Sequence, residues 1–179
     1  MKALKNLGYL LLLILLGLAL VGLYLPSGVS VERRLTVAAP AGVLFPLLDN
    51  PRELARWLPW STPGTDVRYA FDGPPGGVGA GLHWEGGALP MSSGSATVTQ
   101  VEPERRVEMR LYLPLLGKMQ SALEVYPAPD AGSVQVSWRL YDDVGFNLLR
   151  RLLWLLADPV IGPPLERGLD NLRDLAERR

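Results

Sequence analysis

The chain has 179 residues, with 18 basic and 18 acidic side chains, no cysteine and a single histidine, His83. That length suits one domain with a buried core, and a formal net charge of zero removes the electrostatic case for a nucleic-acid partner. The missing cysteines exclude disulfides, thiolate catalysis and thiolate-held zinc or iron–sulfur clusters, and one histidine excludes a multi-histidine metal centre, so no metal or other cofactor is expected.

The first element is the run LGYLLLLILLGLALVGLYL, which begins at Leu7, closes at Leu25 and carries no charge. At about 1.5 Å per residue it spans about 28 Å, close to the hydrocarbon thickness of a bilayer, which predicts a membrane-spanning helix. It is longer than the signal-peptide core of about 7–15 residues. Leu23, Tyr24, Leu25 and Pro26 follow Gly22, so no clean small-x-small cleavage pair stands behind it, and the run reads as an uncleaved anchor.

Lys2 and Lys5 are the only charges before Pro26, and they hold the short N-terminus in the cytoplasm. The rest of the chain is then expected on the outer side of the cell membrane, as a single-pass protein. Arg33 and Arg34 oppose that bias, but long domains cross largely regardless of charge. Residues 1–28 therefore form an anchor and short linker, and residues 29–179 a single domain without internal repeats. This domain holds 16 basic against 18 acidic side chains, too even a balance to cling to anionic surfaces by charge.

A strand is predicted at 29–37 and a helical stretch at 40–58. Strands follow at 67–71, 80–85, 95–101, 106–113, 118–126 and 133–141, separated by Gly, Pro and Asp. The connections are too short for crossover helices, so the sheet is antiparallel and the class is α+β. Alternation then gives the covered face. Val107, Met109, Leu111 and Leu113 interleave with Arg106, Glu108, Arg110 and Tyr112; Met119, Ser121, Leu123 and Val125 with Lys118, Gln120, Ala122 and Glu124; Val134, Val136, Trp138 and Leu140 with Gln135, Ser137 and Arg139. Extending the same face backwards adds Leu82 and Trp84, and Val67, Tyr69 and Phe71.

Leu165, Leu169, Leu172 and Ala176 follow helical spacing, with Glu166, Arg173, Asp174 and Glu177 elsewhere, so the last segment is an amphipathic helix whose stripe packs on the sheet. Before it, FNLLRRLLWLLA at 146–157 is apolar almost all round except for Arg150 and Arg151. Asp158-Pro159 and Gly162-Pro163-Pro164 are expected to break or kink the helical run.

Several residues admit two readings. His83 lies between Leu82 and Trp84, so alternation turns it, and Glu85, to the wet face, away from a catalytic role. Trp57 and Trp60 either form a pocket mouth or dip toward lipid headgroups, or plug the core; the core reading is preferred. GPPGGVGAG at 73–81 lacks the Lys-Ser or Lys-Thr and the following helix of a phosphate loop, and reads as a hairpin connection. Arg33 shares its face with Val31, Leu35 and Val37, where it either meets a ligand anion or sits at a solvated strand end. The 146–156 stretch, with Trp154, either lies on the bilayer as a lipid gate or packs over the sheet with only its arginines wet.

The ordered set VERRLTVAAPAGVLFPLLDN, ARWLPW, GGVGAGLHWEGG, SGSATVTQVEPERRVEMRL and IGPPLERGLDNLRDLAE resembles the SRPBCC superfamily. This is the START-like, helix-grip group of polyketide cyclase/dehydrase and lipid-transport type. The resemblance covers nearly the whole chain. It implies a curved sheet of seven strands gripping a long C-terminal helix, with an apolar ligand cavity between them. It names a fold and a ligand type, not a reaction. The iron ligands of the Rieske oxygenase branch are absent, and the catalytic residues of no cyclase branch can be placed on this sequence.

The expectation is a membrane-anchored module that binds an apolar or lipid-like small molecule, lined by Tyr69, Phe71, Trp84, Met109, Leu111, Met119, Ser121, Leu123, Val136, Trp138 and Leu165. No catalytic residue and no metal ligand is assigned. An enzyme using Tyr69, Ser121 or His83, and a ligand-free envelope module serving protein contacts, are the alternatives.

Overall fold

The computed structural model describes residues 5–10, 12–13, 16–17, 27–60, 66–87, 91–114, 116–145 and 147–179. The expected spanning helix falls largely outside these residues, as do Lys2 and Phe146. Positions 5–10, 12–13 and 16–17 are helical, and no helix among the described residues is long and apolar enough to cross a membrane.

Seven strands form one antiparallel, curved sheet: β1 (Gly28–Val37), β2 (Arg68–Asp72), β3 (Gly81–Glu85), β4 (Ser93–Glu102), β5 (Arg106–Leu113), β6 (Gly117–Pro127) and β7 (Val134–Asp143), in the order β1-β7-β6-β5-β4-β3-β2. Strands β2 to β7 are neighbours in chain order, each joined to the next by a connection of at most eight residues, and β1 closes the far edge by pairing with β7 from Gly28↔Asp143 to Val37↔Val134. The predicted inner face is the buried one. Val107, Leu113, Leu123, Val136 and Leu140 have no measurable exposure, while Arg110, Tyr112, Lys118 and Tyr126 are exposed. A bulge between Val98 and Gln100 shifts the register of β4, so that Val101 comes to face Val107.

The predicted helical stretch at 40–58 is two helices, α1 (Ala41–Asp49) and α2 (Pro51–Trp57). The division is local chemistry. A residue before proline avoids the α conformation, and Asn50 stands extended at φ −102° and ψ 117°. Its side chain accepts the Arg52 N–H at 2.9 Å, with Pro51 occupying the first helical position, where no N–H is required. Leu44, Leu47, Leu48, Leu54 and Trp57 turn inward and cover the sheet.

At the C-terminus, α3 (Leu148–Leu155) is capped by Asn147, which accepts the Arg150 N–H at 3.0 Å. The longer α4 (Ala157–Ala176) buries Ile161, Leu165, Leu169, Leu172 and Ala176 along the sheet. Of the two expected sites of a break or kink, the helical run divides at Leu156, two residues before Asp158-Pro159, whereas α4 continues unbroken through Gly162-Pro163-Pro164. Pro163 and Pro164 cost the helix its bonds to the carbonyls of Pro159 and Val160. Both of those residues are exposed, so water can take over. At Gly168 α4 packs tightly against Trp138 of the sheet. A Cβ there would lie 2.6 Å from Trp138 Cζ3 and 3.1 Å from Pro59 Cδ, so only a glycine fits.

Candidate ligand site

Four tryptophans fill the space between α2 and the sheet. Trp57 meets Trp138 edge-on at 5.3 Å between ring centroids, and Trp60 stacks on Trp84 at 4.4 Å. Three indole N–H groups are satisfied on the spot. Trp57 donates to the Leu47 carbonyl at 2.9 Å, Trp84 to the Met91 carbonyl at 3.0 Å, and Trp138 to Ser121 Oγ at 2.9 Å. Trp57 and Trp60 are thus core plugs, the former fully buried and the latter 5% exposed.

What remains between them is a gap of about 10 Å³, bordered by Leu54, Leu58, Trp60, Leu82, Ala96, Met109, Leu111, Ser121 and Trp138. That is about what one water needs, whereas an engineered cavity of about 150 Å³ takes a benzene. Among the described residues, then, no large apolar cavity of the kind the family resemblance implied lies between α2 and the sheet, and the Trp60 and Trp138 indoles border the small gap that does. No border residue of the gap titrates, and Ser121 Oγ is its single side-chain oxygen.

Of the expected lining, Met109, Leu111, Ser121 and Trp138 border the gap. Trp84, Met119, Leu123, Val136 and Leu165 are buried in the surrounding core without reaching it. Tyr69 is half-buried on the edge strand β2, stacked with Phe71 at 6.3 Å. Phe71 lies opposite Leu82, on the predicted face, yet is 37% exposed. Phe71 lies on the edge strand, where the Arg52 guanidinium of α2 stands 4.7 Å above its ring and leaves it partly open. Alternation missed Leu54, Leu58 and Trp60, which come from the helical side; the i, i+4 pair of Leu54 and Leu58 is the signal that marks them.

Larger hollows lie on the surface. One, of about 790 Å³, runs along the β4–β5 turn past Glu102, Glu104, Arg106, Glu124 and Tyr126, and another, of about 660 Å³, borders Ser27, Arg139 and Asp142. Both are open depressions. In the first the charges are already spent on each other: Arg106 pairs with Glu108 and, at 3.4 Å, with Glu124, which also accepts the Tyr126 hydroxyl at 2.7 Å. That hydroxyl bond to Glu124 holds the Tyr126 pKa above its ordinary value. On the same outer face the Ser137 hydroxyl and Arg34 hold the Glu32 carboxyl below the usual range. These pairs fasten the sheet rather than receive a ligand.

The remaining candidates resolve in the same way. His83 faces outward as alternation required, 3.3 Å from Asp72 across the β2–β3 pair. The 73–80 loop is a hairpin connection, with Gly73, Gly77 and Gly79 all at positive φ. Arg33 is partly exposed and is engaged in an ion-pair cluster. Its guanidinium reaches Asp158 at 2.8 Å and Glu166 at 2.6 Å on α4, passing beneath Gly162, whose missing side chain leaves room for it. Hydrogen bonding from Arg33 lowers the Asp158 pKa.

Residues 28–177 match the family profile described as polyketide cyclase / dehydrase and lipid transport. The chain belongs to that family. That family match supports membership of the SRPBCC superfamily, in agreement with the order of motifs in the sequence. Truncated norcoclaurine synthase from Thalictrum flavum superposes with a TM-score of 0.64 at 20% identity, covering 85% of this chain and 95% of that one. The same plant enzyme solved with dopamine and hydroxybenzaldehyde gives a TM-score of 0.59 at 20% identity, over 85% and 88% of the two chains. A Staphylococcus aureus protein of unknown function gives a TM-score of 0.63 at 12% identity, over 84% and 94%. No curated protein sequence matches at a significant level. At these identities the likeness to solved structures is one of fold. Among the described residues, what this member of the family presents between α2 and the sheet is a narrow apolar gap with one hydroxyl on its border.

Proposed function

We propose that this protein is a membrane-anchored module that holds a small apolar or amphipathic molecule between α2 and the sheet. The observation that carries the reading is the border of the gap, made of apolar side chains and indole apart from Ser121 Oγ. Such a border favours burial of apolar surface, worth about 25 cal/mol per Å², with one polar contact to fix orientation. It offers no acid or base, which supports holding over transforming. Because the gap has room for about one water, a ligand has to displace a side chain. Trp60 is the side chain to move, since it stands just past the end of α2 and its ring closes one side of the gap.

The anchor is the uncharged 7–25 run, and Lys2 and Lys5 favour the domain lying outside the cytoplasm. Native mass spectrometry of the full chain released in detergent tests the reading. An added mass that survives washing, and that Trp60→Ala changes, supports it; a bare chain that also refuses added small aromatics refutes it. The near-complete filling of the interior favours a second reading, an envelope module that carries no ligand and acts through its surface.

A further inference from the structure

Helix α3 is turned opposite to what its sequence suggests. Its two arginines face the protein. Arg150 reaches Asp142 at 2.5 Å and the Leu116 carbonyl at 3.3 Å, and Arg151, 7% exposed, donates to the Gly145 carbonyl at 2.7 Å. Trp154 is also inside, at 8%. The wet side carries Leu149 at 68% exposure, Leu153 at 49%, Leu156 at 65% and Val160 at 45%. Leu149 and Leu153 stand one turn apart on the outside of α3, and Leu156 and Val160 continue the exposed apolar surface past the α3–α4 break. Neither earlier reading of this stretch anticipated a helix with its arginines in and its leucines out.

The place of this stripe in the fold says what covers it. The Val144 N–H donates to the Ser27 carbonyl at 3.0 Å, which pins the end of β7 to the residue two positions after Leu25. α3 begins four residues past Val144, and Arg150 ties it to Leu116 in the β5–β6 turn. Thus α3 sits at the end of the domain where the uncharged 7–25 run departs. The opposite end carries the β4–β5 and β6–β7 turns and the C-terminus of α4.

We infer that the Leu149–Leu153–Leu156–Val160 face lies in the surface of the same bilayer that the 7–25 run enters, so that the domain is held at two points and its orientation to the membrane is fixed. The inference rests on the anchor proposed above. An apolar helical face of this kind sinks about 5–10 Å, to the boundary of headgroups and acyl chains. With Arg150 and Arg151 turned inward, the contact is apolar rather than electrostatic. It therefore persists at high salt and needs no anionic lipid.

The native chain has no cysteine, so single cysteines report cleanly. Leu12→Cys, Leu153→Cys and Asp130→Cys, each in the full chain reconstituted into phosphatidylcholine vesicles, are labelled with bimane and challenged with spin-labelled lipids. Near-UV circular dichroism verifies the tryptophan packing of each variant, and Leu149→Cys replaces Leu153→Cys if that variant is altered. The expected result is quenching at positions 12 and 153, unchanged by salt, and none at 130 in the β6–β7 turn. Quenching at 12 with none at 153 overturns the docking face and leaves the anchor standing, whether water or a second copy covers the leucines. Absence of quenching at 12 overturns the anchor, and the docking inference with it.

Discussion

Trp60→Ala removes the indole that both seals the gap and stacks on Trp84 at 4.4 Å. Trp60 is 5% exposed, so nearly the whole ring is lost from a packed interior. Truncations of buried Trp or Phe to Ala cost about 3–5 kcal/mol, part from lost transfer energy and part from the cavity left behind. For a domain of this size each kcal/mol lowers Tm by about 2–4 °C, so a fall of about 6–20 °C is expected by near-UV circular dichroism of the full chain in mild detergent. The cavity formed joins the existing gap and has an indole's shape, so added indole should bind and restore stability. Occupancy at about 100 times its Kd returns about 2.7 kcal/mol. A loss below about 1 kcal/mol, which is the range of exposed substitutions, would refute Trp60 as a filler of the seam. A full loss that indole cannot reverse would show that the walls collapse together, and would remove Trp60 as the side chain a ligand displaces.

Ser121→Ala deprives Trp138 Nε1 of its acceptor inside the core and should cost about 1–3 kcal/mol in denaturant unfolding, whereas Ser121→Thr, which keeps the hydroxyl, should recover part of it. Gly168→Ala forces a Cβ to 2.6 Å from Trp138 and should destabilise by about 1–3 kcal/mol, with a change in the near-UV tryptophan signal. Arg33→Met should separate from the wild type in a pH-dependent way. The Asp158 pKa is lowered in the folded state, so its pairing with Arg33 stabilises above the unfolded Asp value of about 3.9 and is lost as pH falls through the folded value. The gap in Tm between the two proteins should therefore be constant near neutrality and narrow below about pH 4; a gap that persists unchanged into acid would refute the ion-pair origin.

The sheet was legible because alternation is a strong signal when one face is buried and the other wet. The strand series from Arg106 to Leu140 needed no tertiary information, and the same rule turned His83 outward. The unread parts depend on what one element meets on another. Nothing in Gly162-Pro163-Pro164 announces that the two freed carbonyls belong to exposed residues, so a break or kink was expected where the helix continues unbroken. Arg150 and Arg151 look like the wet side of a helix until Asp142 and the carbonyls of Leu116 and Gly145 are brought beneath them. The closed gap was hidden for a related reason. Periodicity tells which side chains point inward, but not that Trp57 meets Trp138 and Trp60 meets Trp84 across 82 positions of sequence, beside a gap with room for about one water.

The edge position of β1 bears on how the chain matures. β1 is made early, and the strand it pairs with, β7, is made after the whole 38–133 stretch. At about 5–20 residues per second, synthesis leaves it waiting on the order of 5–20 s. During that interval β1 is an unpaired strand next to a very apolar segment, with its ladder groups open to any other chain. The ribosome therefore releases the sheet's last edge first, and a holdase acting early in biogenesis would find its best grip on residues 28–37.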